Sequence, residues 1–167
     1  MLTRVPNMNL TSICSSPTLL PTSQVDACKV WHNLQHLETT YSGFGSWYWG
    51  KVVPGVTTGH RRILSAECDG VLSGVVIAKS EGEKKICTVW VPEQFRGQLV
   101  ATRLMEDAME WLDSEKPLFS VPSFRKQEFQ AIVKKFGFQL EQTVHELYGT
   151  GRVEHVYNGT LKTKIDA

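Results

Sequence analysis

The sequence predicts one mixed α/β domain built around a single sheet with antiparallel ends, an α+β mixed sheet. Three observations predict it. The chain has 167 residues, about one domain by length. Its hydrophobic period switches between two and 3.6 in the order helix, hairpin, strand, helix, strand, helix, hairpin. The switch is sharpest between Lys84 and Leu112, where a short strand enters a helix through a Gly-bearing turn.

Each element has its own warrant. Residues 1–22 are rich in Ser, Thr, Pro and Asn and read either as an arm or, at Leu10 to Cys14, as a first strand. Ser23 with Asp26 three residues on is a helix-start signal, and Val25, Cys28, Trp31, Leu34 and Leu37 follow at helical spacing. Gly43, Gly45, Gly50, Gly55 and Gly59 break up an aromatic stretch around Phe44, Trp47, Tyr48 and Trp49, which reads as a helical turn inside a long loop. Asp69-Gly70 between two apolar runs, Arg61 to Cys68 and Val71 to Lys79, is a hairpin signal. A second turn at Glu81-Gly82-Glu83 leads into a strand in which Ile86, Thr88 and Trp90 alternate with Cys87, Val89 and Val91.

Pro92 removes a backbone donor and stops that strand. From about Leu99 a helix follows, with Val100, Leu104, Met105, Ala108, Trp111 and Leu112 on one face, until Glu115-Lys116-Pro117 ends it. Leu118 to Val121 reads as a strand. Ser123 reads as the cap of a helix whose apolar face is Phe129, Ile132, Val133 and Phe136, stopped by Gly137. Phe138 to Tyr148 and Arg152 to Tyr157 read as a closing hairpin, with residues 161–167 as a tail and 23–160 as the domain proper. The turn Gln94 to Gln98 aims free amides and a helix dipole at one point. That suits a phosphate or pyrophosphate, and it is also what an ordinary strand-to-helix turn looks like.

Composition narrows the setting. An apolar fraction of 41% and a charged fraction of 21% are ordinary for a globular protein, and a net charge of +1 points to no polyanionic partner. The four cysteines (Cys14, Cys28, Cys68, Cys87) show no C-x-x-C spacing and read as buried free thiols in a reducing compartment, and no metal site is expected. No apolar run approaches the roughly 20 residues of a membrane span. Asn7, Asn9, Thr11 and Ser12 interrupt any signal-peptide core, so the expected location is cytoplasmic.

Val91-Pro92 followed by Arg96-Gly97-Gln98-Leu99-Val100-Ala101 and Leu104 resembles the acyl-CoA-binding motif of the Gcn5-related N-acetyltransferases, the GNAT superfamily. The family pattern is Arg/Gln-x-x-Gly-x-Gly/Ala at a strand-to-helix turn. Arg96 and Ala101 match its ends, whereas Leu99 stands where the family normally has Gly. Lys134-Lys135-Phe136-Gly137-Phe138 is similar to the family's junction between its fourth helix and sixth strand.

The resemblance implies a GNAT-like acyl-CoA N-acyltransferase fold and acetyl transfer from acetyl-CoA to a primary amine, of a small molecule or a protein. It implies cofactor contacts at Val89, Val91, Arg96, Gly97, Gln98, Leu99, Val100 and Ala101, with the sheet splayed between the strand at 86–91 and the strand at 118–121. In the family a Tyr four residues before the Gly of Gly-Phe is the usual general acid; here that position is Val133. Tyr148 is the first choice in its place, with Tyr157, Cys87 and Thr88 as substitutes. For the base, Glu67 leads His60, His145, Glu154 and His155. The resemblance also implies that the segment after the first helix walls the acceptor site.

The basic pairs Arg61-Arg62, Lys84-Lys85, Arg125-Lys126 and Lys134-Lys135 read first as solvated element ends, with Arg125-Lys126 as an alternative contact for CoA phosphates. Nucleic acid is not indicated, and a homodimer is left open. Beside an active enzyme stand two other readings: a GNAT-fold binding or assembly module without catalysis, and an unrelated α/β binding domain.

Overall fold

Strand parity and two β-bulges decide which residues of the sheet face which layer. In the computed structural model, which describes residues 17–20 and 25–162, seven strands form one sheet in the order β1-β2-β3-β4-β5-β7-β6. The strands are β1 (Thr18–Leu19), β2 (Arg61–Cys68), β3 (Val71–Lys79), β4 (Lys85–Trp90), β5 (Leu118–Pro122), β6 (Leu140–His145) and β7 (Val153–Tyr157). All neighbours are antiparallel except β4 and β5. Helices α4 (Val100–Leu112) and α5 (Lys126–Lys135) cover one face. The other face carries α1 (Ala27–Leu34) and a helical run made of α2 (Phe44–Trp47), a π-turn (Tyr48–Val52) and α3 (Val53–Thr57). Covered on both sides, β3 is buried from Leu72 to Ala78 without a break, which is why it reads as a continuous apolar run rather than an alternating one.

The β2–β3 turn has positive φ at both Asp69 (51°) and Gly70 (78°), the geometry a two-residue hairpin needs to match strand twist. Beyond it the register slips by one at Ser73, between the pairs Glu67–Leu72 and Ala66–Gly74. A second slip falls in β4, where Thr88 pairs with Ile77 and Ile86 with Ala78, leaving Cys87 as an extra residue. The simple alternation expected of this strand therefore fails. Ile86, Val89 and Val91 point into the core under α4, while Cys87, Thr88 and Trp90 lie on the opposite face.

Other expectations need correction. The first helix begins at Ala27 and is capped by Asp26, whose carboxylate accepts from the amides of Cys28 and Lys29 at 2.8 and 3.1 Å; the expected cap, Ser23, lies outside the described residues. The Leu10 to Cys14 strand also lies outside them, and the strand observed in that segment is Thr18–Leu19, paired with Ala66 and Glu67. The glycine-rich stretch is helical from Phe44 to Thr57, and two of its glycines, Gly45 and Gly55, serve close approach. A Cβ on Gly45 would sit 3.0 Å from Trp31, and one on Gly55 only 2.7 Å from Arg61. Ser123 caps nothing, since its hydroxyl bonds to His155 Nε2 at 2.9 Å and the residues to Arg125 form a 3₁₀ turn. β6 ends at His145, so Tyr148 sits in the turn after the strand. Finally, Cys68 is disulfide-bonded and Cys28 is exposed, so among the described residues the expectation of buried free thiols holds at partly buried Cys87 alone, and Cys14 lies outside them.

Among the described residues no helix is long and apolar enough to cross a membrane, and no group of His, Cys, Asp and Glu is placed to hold a metal ion.

Candidate active site

β4 and β5 share only two residue pairs, Lys85–Leu118 and Ile86–Phe119. Past them β4 stays with β3 while β5 stays with β7, so the sheet parts along Cys87 to Trp90. A cavity lies on each face beside this parting.

The cavity on the α4–α5 face, about 200 Å³, is lined by Val89 and Val91 of β4, by Phe95, Arg96, Gly97, Leu99, Val100 and Ala101 of the turn and helix start, and by α5. The first helical bond of α4 runs from Arg103 N to Leu99 O at 3.0 Å, so the amides of residues 100–102 have no acceptor within the helix. No side chain caps them. Gly97 and Leu99 both take positive φ, 74° and 61°. Leu99 thus holds the left-handed backbone that glycine adopts freely, at a cost of about 1–2 kcal/mol for a residue with a Cβ. Its side chain is 62% exposed.

Arg96 is anchored by Nε donating to Val91 O at 3.2 Å, and its guanidinium lies 3.7 Å from Glu128. Glu128 is held more closely by Arg125, at 3.0 and 2.9 Å. Of the residues the sequence assigned to this turn, Gln98 alone is missing from the lining, its amide nitrogen donating to Gln94 O at 3.1 Å. The result is a cradle of free amides at a 13-residue helix start beside a guanidinium, chemistry suited to a phosphate ester.

The cavity on the other face, about 280 Å³, is walled by Tyr41, Phe44 and Trp47 from the helical run and its approach, and floored by Arg61, Lys79, Lys85, Cys87 and Thr88. Consecutive Cys87 and Thr88 both reach it because the bulge places them on one face. Ser120 of β5 and Tyr148 close it, the Tyr148 ring meeting Tyr41 edge-on at 5.4 Å.

Behind Ser120 and Tyr148 lies Glu154, 1% exposed, with Oε2 lacking a hydrogen-bond partner among the described residues. Burial pushes its carboxyl up to about 7, outweighing the lowering by Lys85 and by a hydrogen bond from Ser120. Burial, with the charge of Glu154, pushes the Tyr148 phenol up to about 12, and the Tyr41 phenol is raised by the same two causes. The Cys87 thiol is also raised by burial, against the lowering by Lys85, Arg61 and Lys79. A carboxyl near neutrality beside a phenol that stays protonated supplies one group able to take a proton and one able to give it.

Only some of the sequence candidates meet here. Tyr148, Cys87 and Thr88 line the second cavity and Glu154 lies behind it. Glu67 lines neither cavity and is engaged by Lys29. Tyr157 and His155 point to the opposite face from Glu154, with His155 between Ser123 and Thr143, so strand parity separates these three neighbouring candidates. His60 and His145 are exposed. Val133 lines a third, separate cavity with Ser123 and Tyr157. Tyr41 and Ser120 were not legible as site residues, since neither belongs to a motif.

Comparison with known proteins gives a consistent picture. The model of the acetyltransferase (GNAT) family matches residues 28–129. No curated protein sequence matches the chain. Among solved structures it is similar to Arabidopsis thaliana NAA60 in complex with acetyl-CoA, at 16% identity over 85% of this chain and 97% of that one, with a TM-score of 0.66. A GNAT-family acetyltransferase from Bacillus cereus shares 16% identity over 86% and 96%, TM-score 0.64. An aminoglycoside 6′-N-acetyltransferase complexed with coenzyme A shares 13% over 84% and 94%, TM-score 0.61.

Proposed function

The chain belongs to the GNAT acetyltransferase family, and from that premise we propose that it is an acetyl-CoA-dependent N-acetyltransferase acting on a primary amine. The observation that carries the reading is the pair of cavities back to back across β4, one with an anion cradle and one with a proton acceptor and donor. The structure fits the co-substrate. The turn has the left-handed backbone at residues 97 and 99, unbonded helix-start amides and an arginine beside them. In this proposal Arg96, Gly97, Leu99, Val100 and Ala101 hold the pyrophosphate, and the backbone of Val89 and Val91, beside the parting of the sheet, pairs with the pantetheine. When bound, acetyl-CoA supplies an acyl carbon for the amine to attack and a thiolate that departs.

The chain's own residues then handle protons. Glu154, reached through the Ser120 hydroxyl, takes a proton from the incoming ammonium, which has no lone pair until it does so. Tyr148, protonated across the neutral range, gives a proton to the sulfur. Tyr41, Phe44 and Trp47 wall the cavity in which this transfer takes place. Glu67, already neutralised by Lys29, has no part in this scheme.

The test is to incubate the protein with acetyl-CoA and a panel of primary amines, following free thiol release and acetylated product together. Amine-dependent release with matching product supports the proposal. Acetyl-CoA binding without product from any amine would favour a GNAT-fold binding module instead.

A further inference from the structure

The floor of the second cavity carries a row of three cations. Arg61 of β2 pairs with Lys79 of β3, and Lys79 pairs with Lys85 of β4, so the three stand side by side on adjacent strands. All three line the cavity, and no Asp or Glu does. Like charges directly opposite each other destabilise a sheet, so such a row calls for a counter-charge. Lys79 has one in Glu83 at 3.0 Å. Among the described residues, neither Arg61 nor Lys85 takes part in an ion pair.

Arg61 is also held in place. Its stem packs on Gly55, its guanidinium lies 5.7 Å from the centre of the Trp47 ring, and Nη1 points to Cys87 Sγ at 3.8 Å. A solvated arginine at a strand end needs none of these contacts. Past Lys85 the cavity runs on to Ser120, with buried Glu154 behind it.

We propose that the acceptor is a small primary amine that also carries an anion, a carboxylate or a phosphate, with the anion seated on Arg61 and Lys85 and the amine directed towards Ser120 and Glu154. The inference rests on reading this cavity as the acceptor site. The volume, about 280 Å³, suits a molecule of amino-acid size and falls just below the usual range for drug-sized ligands. The aromatic wall favours an apolar body between the two charged ends. Polycationic amines are disfavoured, because their second ammonium would face the cation row without a carboxylate to receive it.

The experiment compares matched pairs in parallel binding and turnover assays: L-leucine with L-leucinamide, 6-aminohexanoate with hexylamine, and O-phosphoethanolamine with ethanolamine, with spermidine and tobramycin as polycations. Binding is read by calorimetry on protein saturated with CoA, so the inference is tested even if no amine is acetylated; absence of turnover alone counts against the enzyme reading. The anionic member of at least one carboxylate or phosphate pair should bind about 10- to 100-fold tighter than its neutral mate, as expected for charge-assisted hydrogen bonds. The pair that responds distinguishes carboxylate from phosphate. Arg61→Gln and Lys85→Gln should each cut that preference to a few-fold, and the second guards against misfolding of the first. Equal binding within every pair, tighter binding of spermidine or tobramycin, or a preference unchanged in both variants would overturn the proposal.

Discussion

Replacing Glu154 with Gln tests whether a buried carboxyl lies at the end of the second cavity. Burial raises this carboxyl from 4.5 to about 7. With its folded value above its unfolded value, the group contributes stability that is fully present below about pH 4.5 and is lost as pH rises through 7. The displacement corresponds to about 3 kcal/mol against the ionised form in the folded chain. Gln keeps the shape and cannot ionise, so its stability lacks this slope. Urea unfolding of parent and Glu154→Gln at pH 5 and pH 8 isolates the effect, because all other titrating groups are common to both. The variant should gain about 2–3 kcal/mol on the parent between the two pH values, with unchanged m-values. Parallel stability profiles would refute the reasoning, since they would mean that the carboxyl titrates normally. In turnover, the parent's kcat/KM should fall as pH drops below about 7, where the base is protonated, and the variant should lose most of its rate.

Three further substitutions separate the parts of the account. Tyr148→Phe keeps the ring against Tyr41 and removes the hydroxyl; kcat should fall about 10²- to 10⁴-fold with acetyl-CoA binding intact, and a value within threefold of the parent would remove Tyr148 from the mechanism. Leu99→Gly should tighten acetyl-CoA binding by about 1–3 kcal/mol by letting the backbone approach the phosphates. Its stability should change by less than about 1 kcal/mol, because relief of the left-handed strain is offset by glycine's chain entropy; looser binding in a titration would count against the cradle. Gly74→Ala would place a Cβ 2.7 Å from Val100 and 2.9 Å from Leu104. Thermal or urea unfolding should show a loss of about 1–3 kcal/mol from overpacking under the start of α4, and an unchanged midpoint would refute that contact.

What the sequence disclosed follows from local rules. Asp69-Gly70 announces its hairpin because only such residues accept two successive positive φ values cheaply. Pro92 and the change of period mark the strand-to-helix turn, and Gly137, at φ 60°, ends α5 as read. The turn from Arg96 to Ala101 stands out in the sequence because its residues are contiguous, whereas the α5 side of the same cavity leaves no local signal. The second cavity does not stand out, because its floor depends on two inserted residues. Without the slip at Ser73, Arg61 would face Ala78 rather than Lys79. Without the bulge in β4, Cys87 and Thr88 would lie on opposite faces. A bulge costs one residue and leaves no compositional trace, so the cation row reads in the sequence as separate solvated pairs. The periodicity carries Tyr148 onto the strand, whereas β6 stops at His145, and nothing local in the sequence separates Glu154 from His155 and Tyr157, which parity sends to the other face.

The central claim is that the turn after β4 receives acetyl-CoA, and titration calorimetry of acetyl-CoA into the parent and Arg96→Glu tests it most directly. Arg96 is half exposed and tied to Val91 O at the edge of the cradle, so the substitution places a carboxylate where the pyrophosphate would lie while leaving the core untouched. The account predicts saturable binding by the parent and a dissociation constant at least about tenfold weaker in the variant, from losing charge-assisted hydrogen bonds and adding repulsion. No binding by the folded parent, or equal affinity in both proteins, would contradict it.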